Sequence, residues 1–259
     1  MGWKESPAAV ALRVARVSAP AMRNTGTMLT TLALIPLLEV ALLVTVARSL
    51  DVPGAATVAY AGFVVSALAM VVAQAVGAVV RDRGIGVVEE TLAVSPWSAA
   101  YWGGKFLFPS ATALLTSALG CVAVWAVEPA HSAGHLGRAL LGIALAVVVG
   151  CCVGLACSAV AIAGRDPFLA ANVLAALLPV TAGVIASFSA YPGWLQPVSA
   201  VLPGTWLVYW LRESIAGNPS AWPLLAEGLI AIAWVAFGVV GLRVAWARMR
   251  SGNGSGEVL

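Results

Sequence analysis

Two histidines near the middle of the chain are the side chains best suited to bind a metal ion. His131 and His135 stand four residues apart and Glu128 precedes them, and imidazole and carboxylate groups are ordinary zinc ligands. The surrounding stretch is rich in glycine and alanine and predicts no rigid helix to hold the pair, so we expect no metal site. Because both histidines lie in one loop, we expect no Ser-His-Asp catalytic grouping either.

A glycine followed by a lysine is the second possible site, because phosphate-binding loops contain this pair. The only Gly-Lys of the chain, Gly104-Lys105, is followed by Phe106 instead of Ser or Thr and lacks the upstream glycine spacing. We therefore predict that the chain has no ATP-binding motif of its own.

Adjacent carboxylates are the third possible site. Some membrane-embedded proteases contain the motif Glu-Glu-x-x-x-Arg. Glu89 and Glu90 match its first two positions, but Val94 stands where the arginine is required. We therefore expect no enzymatic activity. A membrane-embedded enzyme is kept as the alternative from another functional class.

The amino-acid composition indicates the class of protein in which these side chains lie. Of 259 residues, 61% are hydrophobic and 10% are charged, and the mean hydropathy is +0.96. Soluble domains have roughly 45–50% apolar and about 25% charged residues, so we predict an integral membrane protein. The formal net charge of +3 does not favour a nucleic-acid partner. The cysteines all lie in apolar runs and are interpreted as packing residues: Cys121, Cys151, Cys152 and Cys157.

Apolar runs of about 20–25 residues match the length that a helix needs to cross a bilayer. Six such runs predict an all-α fold with six transmembrane helices: 27–47, 57–80, 106–127, 139–163, 168–187 and 224–244. With both termini in the cytoplasm, 11 of the 14 basic residues lie on the cytoplasmic side, which the positive-inside rule favours. The location is therefore predicted to be the cell membrane, with several spans.

Three regions are predicted along the chain. Residues 1–26 are predicted to form an amphipathic segment along the inner membrane interface, 27–250 the six-helix membrane domain, and 251–259 a flexible cytoplasmic tail. In the first region Val10 and Val14 share one helical face. A disordered basic leader is the alternative for this region.

The inner loop between the second and third runs predicts a short cytoplasmic helix. Glycines permit a break at its start, Val88 and Leu92 share one face, and the acidic pair lies on another. A Pro ends the helix. The candidate contact residues for a cytoplasmic partner are Gly86, Val88, Glu89, Glu90, Leu92, Ser95 and Pro96.

The outer connection 191–223 is semi-apolar, but prolines interrupt it too often for a full span. It predicts a re-entrant helical hairpin in the outer leaflet that contains Pro203, Trp206 and Arg212. An ordinary interfacial loop is the alternative.

Polar residues inside the predicted spans are the remaining candidates. Glu39 in the first span is costly in lipid, and it either lines a transport pathway or makes a hydrogen bond between helices. Gln74 and Asn172 are candidates for the pathway, but a structural role, as hydrogen-bonding groups between helices, is the favoured interpretation for both. Glu227 is expected at headgroup level.

The order of these motifs resembles the permease subunits of type-2 ATP-binding-cassette (ABC) exporters. Glu90, Leu92, Ser95-Pro96 and Gly104-Lys105 fit the family's inner-loop pattern, with Val87-Val88 in place of its Gly-Thr. Pro203 and Arg212 match the spacing of its outer re-entrant hairpin.

This resemblance implies two ATP-binding subunits and a second permease subunit, the same or similar, with ATP and Mg²⁺ bound by the ATPase partner and no cofactor on this chain. It implies export of a hydrophobic or amphipathic, antibiotic-like or drug-like substrate. A cell-envelope lipid or lipid-linked glycan is the alternative substrate.

Overall fold

The computed structural model describes residues 6–18, 26, 30, 34, 38, 54–95 and 97–250. Every regular element in this part of the chain is helical. The helices are α1 Pro7–Ser18, α2 Ala55–Gly84, α3 Val87–Val94, α4 Ala99–Val127, α5 Ala133–Ala163, α6 Leu169–Thr181, α7 Leu195–Val201, α8 Thr205–Ile215 and α9 Trp222–Arg250, with a 3₁₀ turn at Phe188–Ala190 before α7.

Four of the described helices, α2, α4, α5 and α9, are long and apolar enough to cross a membrane. They correspond to the second, third, fourth and sixth predicted spans. The first predicted span, 27–47, lies almost wholly outside the described residues. The structure therefore supports a helical membrane protein and leaves the count of six as a prediction.

The fifth predicted span, 168–187, is wrong in its extent, because α6 ends at Thr181 after 13 residues. At about 1.5 Å per residue such a helix is roughly 20 Å long, too short for a hydrocarbon core of about 30 Å. Pro179 lies inside its last turn, and Gly183 has a φ of 81°, which is left-handed. The apolar residues continue, but the helix does not.

The third predicted span, 106–127, starts too late, because α4 already begins at Ala99. The hydroxyl oxygen of Ser98 accepts a hydrogen bond from the backbone N–H of Tyr101 at 3.3 Å and caps the helix. Tyr101 and Trp102, which precede the predicted run, therefore belong to α4.

Helix α2 is the centre of the packing, in contact with α4, α5, α6 and α8. Tyr60, Leu68 and Val71 on this helix are 0% exposed. Small residues allow α5 to approach closely: a Cβ added at Gly150 would lie 3.0 Å from the Cβ of Val71. Such contacts are typical of membrane helices, which pack through small residues.

The bundle has two ends, which we name by the short helices found there. At the α3 end, α2, α5 and α9 finish, α4 begins and α1 packs on α4. At the α8 end, α2, α5 and α9 begin and α4 finishes.

The outer faces of the long helices are apolar and exposed. They include Leu107, Leu115 and Leu119 on α4 and Leu225, Leu229, Ile232, Phe237 and Val240 on α9. Lipid is the solvent in which such faces are stable.

Candidate functional site at the α3 end

Helix α3 begins after a tight turn at the end of α2. Gly86 has a φ of 75°, and its N–H donates to the carbonyl of Arg83 at 3.1 Å. Glu89 and Glu90 occupy the first turn, where a negative charge stabilises a helix N-terminus. The short helix predicted in this loop is therefore present. It ends at Val94, and the next residue, Ser95, is extended; Pro96 lies outside the described residues.

The apolar face of α3 is turned into the protein. Val88 and Leu92 are each 1% exposed and pack in a cluster with Val79 of α2, Ile162 of α5 and Leu242 of α9. The expectation that these two residues form an edge free to contact a partner is therefore wrong. An apolar pair four residues apart is buried most favourably by the nearest apolar surface, here the ends of three long helices.

The opposite face of α3 is open. Glu89 and Glu90 are exposed, and Val94 is 88% exposed. Gly86 and Ser95 at the two ends of the helix are exposed too.

A shallow notch follows this open face. Its volume is about 260 Å³, and it is lined by Glu90, Thr91, Val94, Ser95 and Ser98. The combination offers a partner one acidic group, one apolar side chain and several hydroxyl groups.

Charged residues join the end of α2 to α4. Oδ2 of Asp82 lies 2.7 Å from Nζ of Lys105 and accepts a hydrogen bond from the Tyr101 hydroxyl at 3.1 Å. Lys105 is therefore buried inside the protein, 3% exposed, and is not a headgroup anchor. Residue types alone missed this pair, although opposite charges near the same end of neighbouring spans were the available signal.

The next residue, Arg83, joins α2 to α5. Its Nη1 donates to the backbone oxygens of Ala161 at 2.6 Å and Gly164 at 2.8 Å. These carbonyls lie at the end of α5 and lack helical partners. The last turn of α2 is thus attached to two neighbouring helices at once.

Helix α1 packs against the start of α4. A Cβ added at Gly104 would lie 2.5 Å from the Cβ of Val14 and 2.8 Å from the backbone oxygen of Ala11. In this chain Gly104-Lys105 is therefore a packing and ion-pairing motif.

Two of the three intramembrane candidates, Gln74 and Asn172, lie among the described residues. Gln74 accepts a hydrogen bond from the Thr112 hydroxyl at 2.9 Å, which joins α2 to α4. Asn172 is exposed on α6. Glu39 lies outside the described residues.

Helices α7 and α8 occupy the predicted hairpin, and contacts within the chain hold them in place. Pro203 is buried, and Nε1 of Trp206 donates to the backbone oxygen of Ala200 at 2.9 Å. Nη1 of Arg212 donates to the oxygens of Gly183 and Val184 at 2.9 and 2.8 Å. Arg212 thus binds carbonyls just beyond the end of α6.

The loop that carries the histidines is more ordered than its composition predicts. Helix α5 begins at Ala133 and includes His135, whose Nδ1 lies 2.8 Å from Oε1 of Glu128. Nδ1 of His131 instead faces the backbone oxygen of Trp125 at 3.0 Å. Among the described residues no group of three or more His, Cys, Asp or Glu could hold a metal ion.

Comparison with known proteins gives one match. The family model described as ABC-2 type transporter matches residues 14–216, which is most of the chain. No curated protein and no solved structure matches it.

Proposed function

This chain belongs to the ABC-2 type transporter family as a membrane permease subunit, and on that basis we propose that it exports a hydrophobic or amphipathic substrate, driven by a separate ATPase subunit. The single observation that supports this most is the two-sided environment of α3. One face is buried against the long helices, and the other is open and acidic.

The open face is the proposed contact with the ATPase. Glu89, Glu90 and Val94 are its side chains, with Gly86 and Ser95 at its borders, and Pro96 follows in the sequence. A complementary surface would bury Val94 and place basic groups opposite the two carboxylates. Such charges favour correct orientation and fast association more than raw affinity.

The buried face is the proposed route into the membrane part. Val88 and Leu92 lie against the ends of α2, α5 and α9, so motion of α3 is passed to those helices. ATP binding would close the ATPase subunits and shift the permease between two conformations.

The proposed assembly contains two ATPase subunits and two permease subunits, the second the same as this chain or similar to it. ATP and Mg²⁺ bind to the ATPase subunits, and this chain binds no cofactor. The α3 end faces the cytoplasm, and α7 and α8 form a re-entrant hairpin at the outer side of the cell membrane.

The proposed substrate is antibiotic-like or drug-like, because the predicted spans are almost wholly apolar. Glu39, Gln74 and Asn172 are the proposed polar groups of the pathway. A cell-envelope lipid or a lipid-linked glycan has the same amphipathic chemistry.

Co-purification tests this proposal. The tagged chain is expressed in its native host, where its ATPase partner is present, isolated in detergent and returned to inverted vesicles. We expect the ATPase to co-purify and ATP to drive uptake of ethidium or a fluorescent phospholipid. Absence of any bound ATPase, with the permease folded and dispersed, would contradict the proposal.

A further inference from the structure

Asp82 and Lys105 form an ion pair almost closed to solvent. The Nζ and Oδ2 atoms are 2.7 Å apart, and the side chains of Lys105 and Asp82 are 4% and 13% exposed. The Lys105 Nζ also lies 5.4 Å from the centre of the Tyr101 ring, and the Tyr101 hydroxyl donates to the same Asp82 oxygen.

Stability alone does not account for such a pair. Removing two charges from water is costly, and apolar residues of similar volume often stabilise a protein equally well. What a buried pair with a shared hydrogen bond provides is one defined geometry, because Lys105, Asp82 and Tyr101 constrain one another.

The ion pair lies close to α3 in the chain. Asp82 lies in the last turn of α2, and the turn at Ile85 and Gly86 separates it from α3. Gly86 has a left-handed conformation, and Ile85 is 70% exposed. The turn is nevertheless tight, because the N–H of Gly86 donates to the carbonyl of Arg83 at 3.1 Å. Val88 and Leu92 of α3 also pack in one cluster with Val79 of α2, so α3 is attached to the end of α2.

We propose that the Asp82–Lys105 ion pair is the positioning contact that fixes the end of α2, and with it the attached α3, against α4, so that displacement of α3 also moves α4. Arg83 makes the equivalent attachment to α5. The functional part of this inference rests on the proposed function, whereas the positioning part does not.

Spin labels at positions 94 and 115, in spin-diluted permease without any ATPase, test the positioning. Val94 and Leu115 are exposed on α3 and α4. We expect the distance distribution between the labels to widen at least twofold in Asp82→Asn and in Lys105→Met. It should narrow again when Asp82→Lys and Lys105→Asp are combined.

Two variants serve as references. Lys105→Arg keeps the charge and should keep the narrow distribution. Asp166→Asn makes the same chemical change at an exposed carboxylate and should leave it unchanged. Should the Asp82 and Lys105 variants not fold, Tyr101→Phe keeps the ion pair, removes one hydrogen bond and should widen the distribution partly. A distribution that stays narrow in the folded variants overturns the proposal.

The complex with the ATPase tests transmission. A label at Val127, the exposed last residue of α4 at the α8 end, should respond to ATP with vanadate in the unsubstituted protein. In Asp82→Asn the ATPase should stay bound and hydrolyse ATP while this response falls at least fivefold. An undiminished response would overturn transmission through the pair. If the unsubstituted permease binds no ATPase, the proposed function fails, and the label distances alone decide the positioning.

Discussion

The carboxylate of Glu227 accepts a hydrogen bond from the backbone N–H of Gly204 at 2.7 Å and so joins the start of α9 to the start of α8. Its second oxygen accepts from the N–H of Leu207 at 3.2 Å. Glu227 is 2% exposed. The two carboxyl oxygens therefore accept from N–H groups at a helix start, which have no partner within the helix.

Removal of this cap should loosen α8. In Glu227→Ala the N–H groups of Gly204 and Leu207 lose their buried acceptor, at a cost of about 1–3 kcal/mol. Thermal unfolding in detergent measures the loss. Glu213→Ala, at a half-buried glutamate of α8, is the control and should be nearly neutral. Equal unfolding temperatures for the two variants would contradict the capping role.

Two adjacent glycines offer a matched test of how α1 is held. In Gly104→Ala the new methyl group would collide with Val14, so α1 must move. At Gly103 a Cβ meets no atom within 4 Å. We expect faster hydrogen exchange across residues 7–18 in Gly104→Ala and none of this effect in Gly103→Ala. The same exchange in both would mean that α1 does not depend on this contact.

Leu92 should matter for folding more than for partner binding. It is 1% exposed, and truncation of such a core leucine costs about 2–5 kcal/mol. Thermal unfolding should show this loss in Leu92→Ala, whereas Val94→Ala, at a residue 88% exposed, should be nearly neutral. A variant Leu92→Ala as stable as Val94→Ala would show that the cluster contributes little.

Cysteine labelling tests the orientation of the chain in the membrane. The four native cysteines all lie in α4 or α5 and are replaced first. A cysteine at position 134 should then react with an impermeant maleimide from outside the cell. A cysteine at position 85 should react only after permeabilisation, because the basic residues place the α3 end inside. Labelling of position 85 in intact cells would reverse the orientation.

Local patterns predicted α3 but not which of its faces is free. Periodicity places Val88 and Leu92 on one side, yet their packing partners, such as Ile162 and Leu242, are distant in the sequence. The same holds for Glu227, whose partners Gly204 and Leu207 precede it by 23 and 20 residues. A carboxylate in an apolar run indicates a free-energy cost of burial, whereas only the fold shows which hydrogen bonds offset that cost.

Length and hydropathy were more reliable guides for the long helices than for α6. The apolar run continues past Thr181, and hydropathy cannot register a backbone break. Pro179 and Gly183 were the available local signals. The Arg212 contact with Gly183 and Val184 depends on a chain reversal that residue types do not specify.

The central claim is that the open face of α3 binds the ATPase, and the affinity of the purified permease for that ATPase tests it most directly. Glu90→Arg and Val94→Asp change this face without touching the buried one. Together they should weaken binding at least tenfold, which is about 1.4 kcal/mol, with unfolding temperatures unchanged. Ile185→Asp is the control, since Ile185 is 79% exposed and lies outside α3. Binding and ATP-driven uptake as strong in the double variant as in the control would contradict the claim.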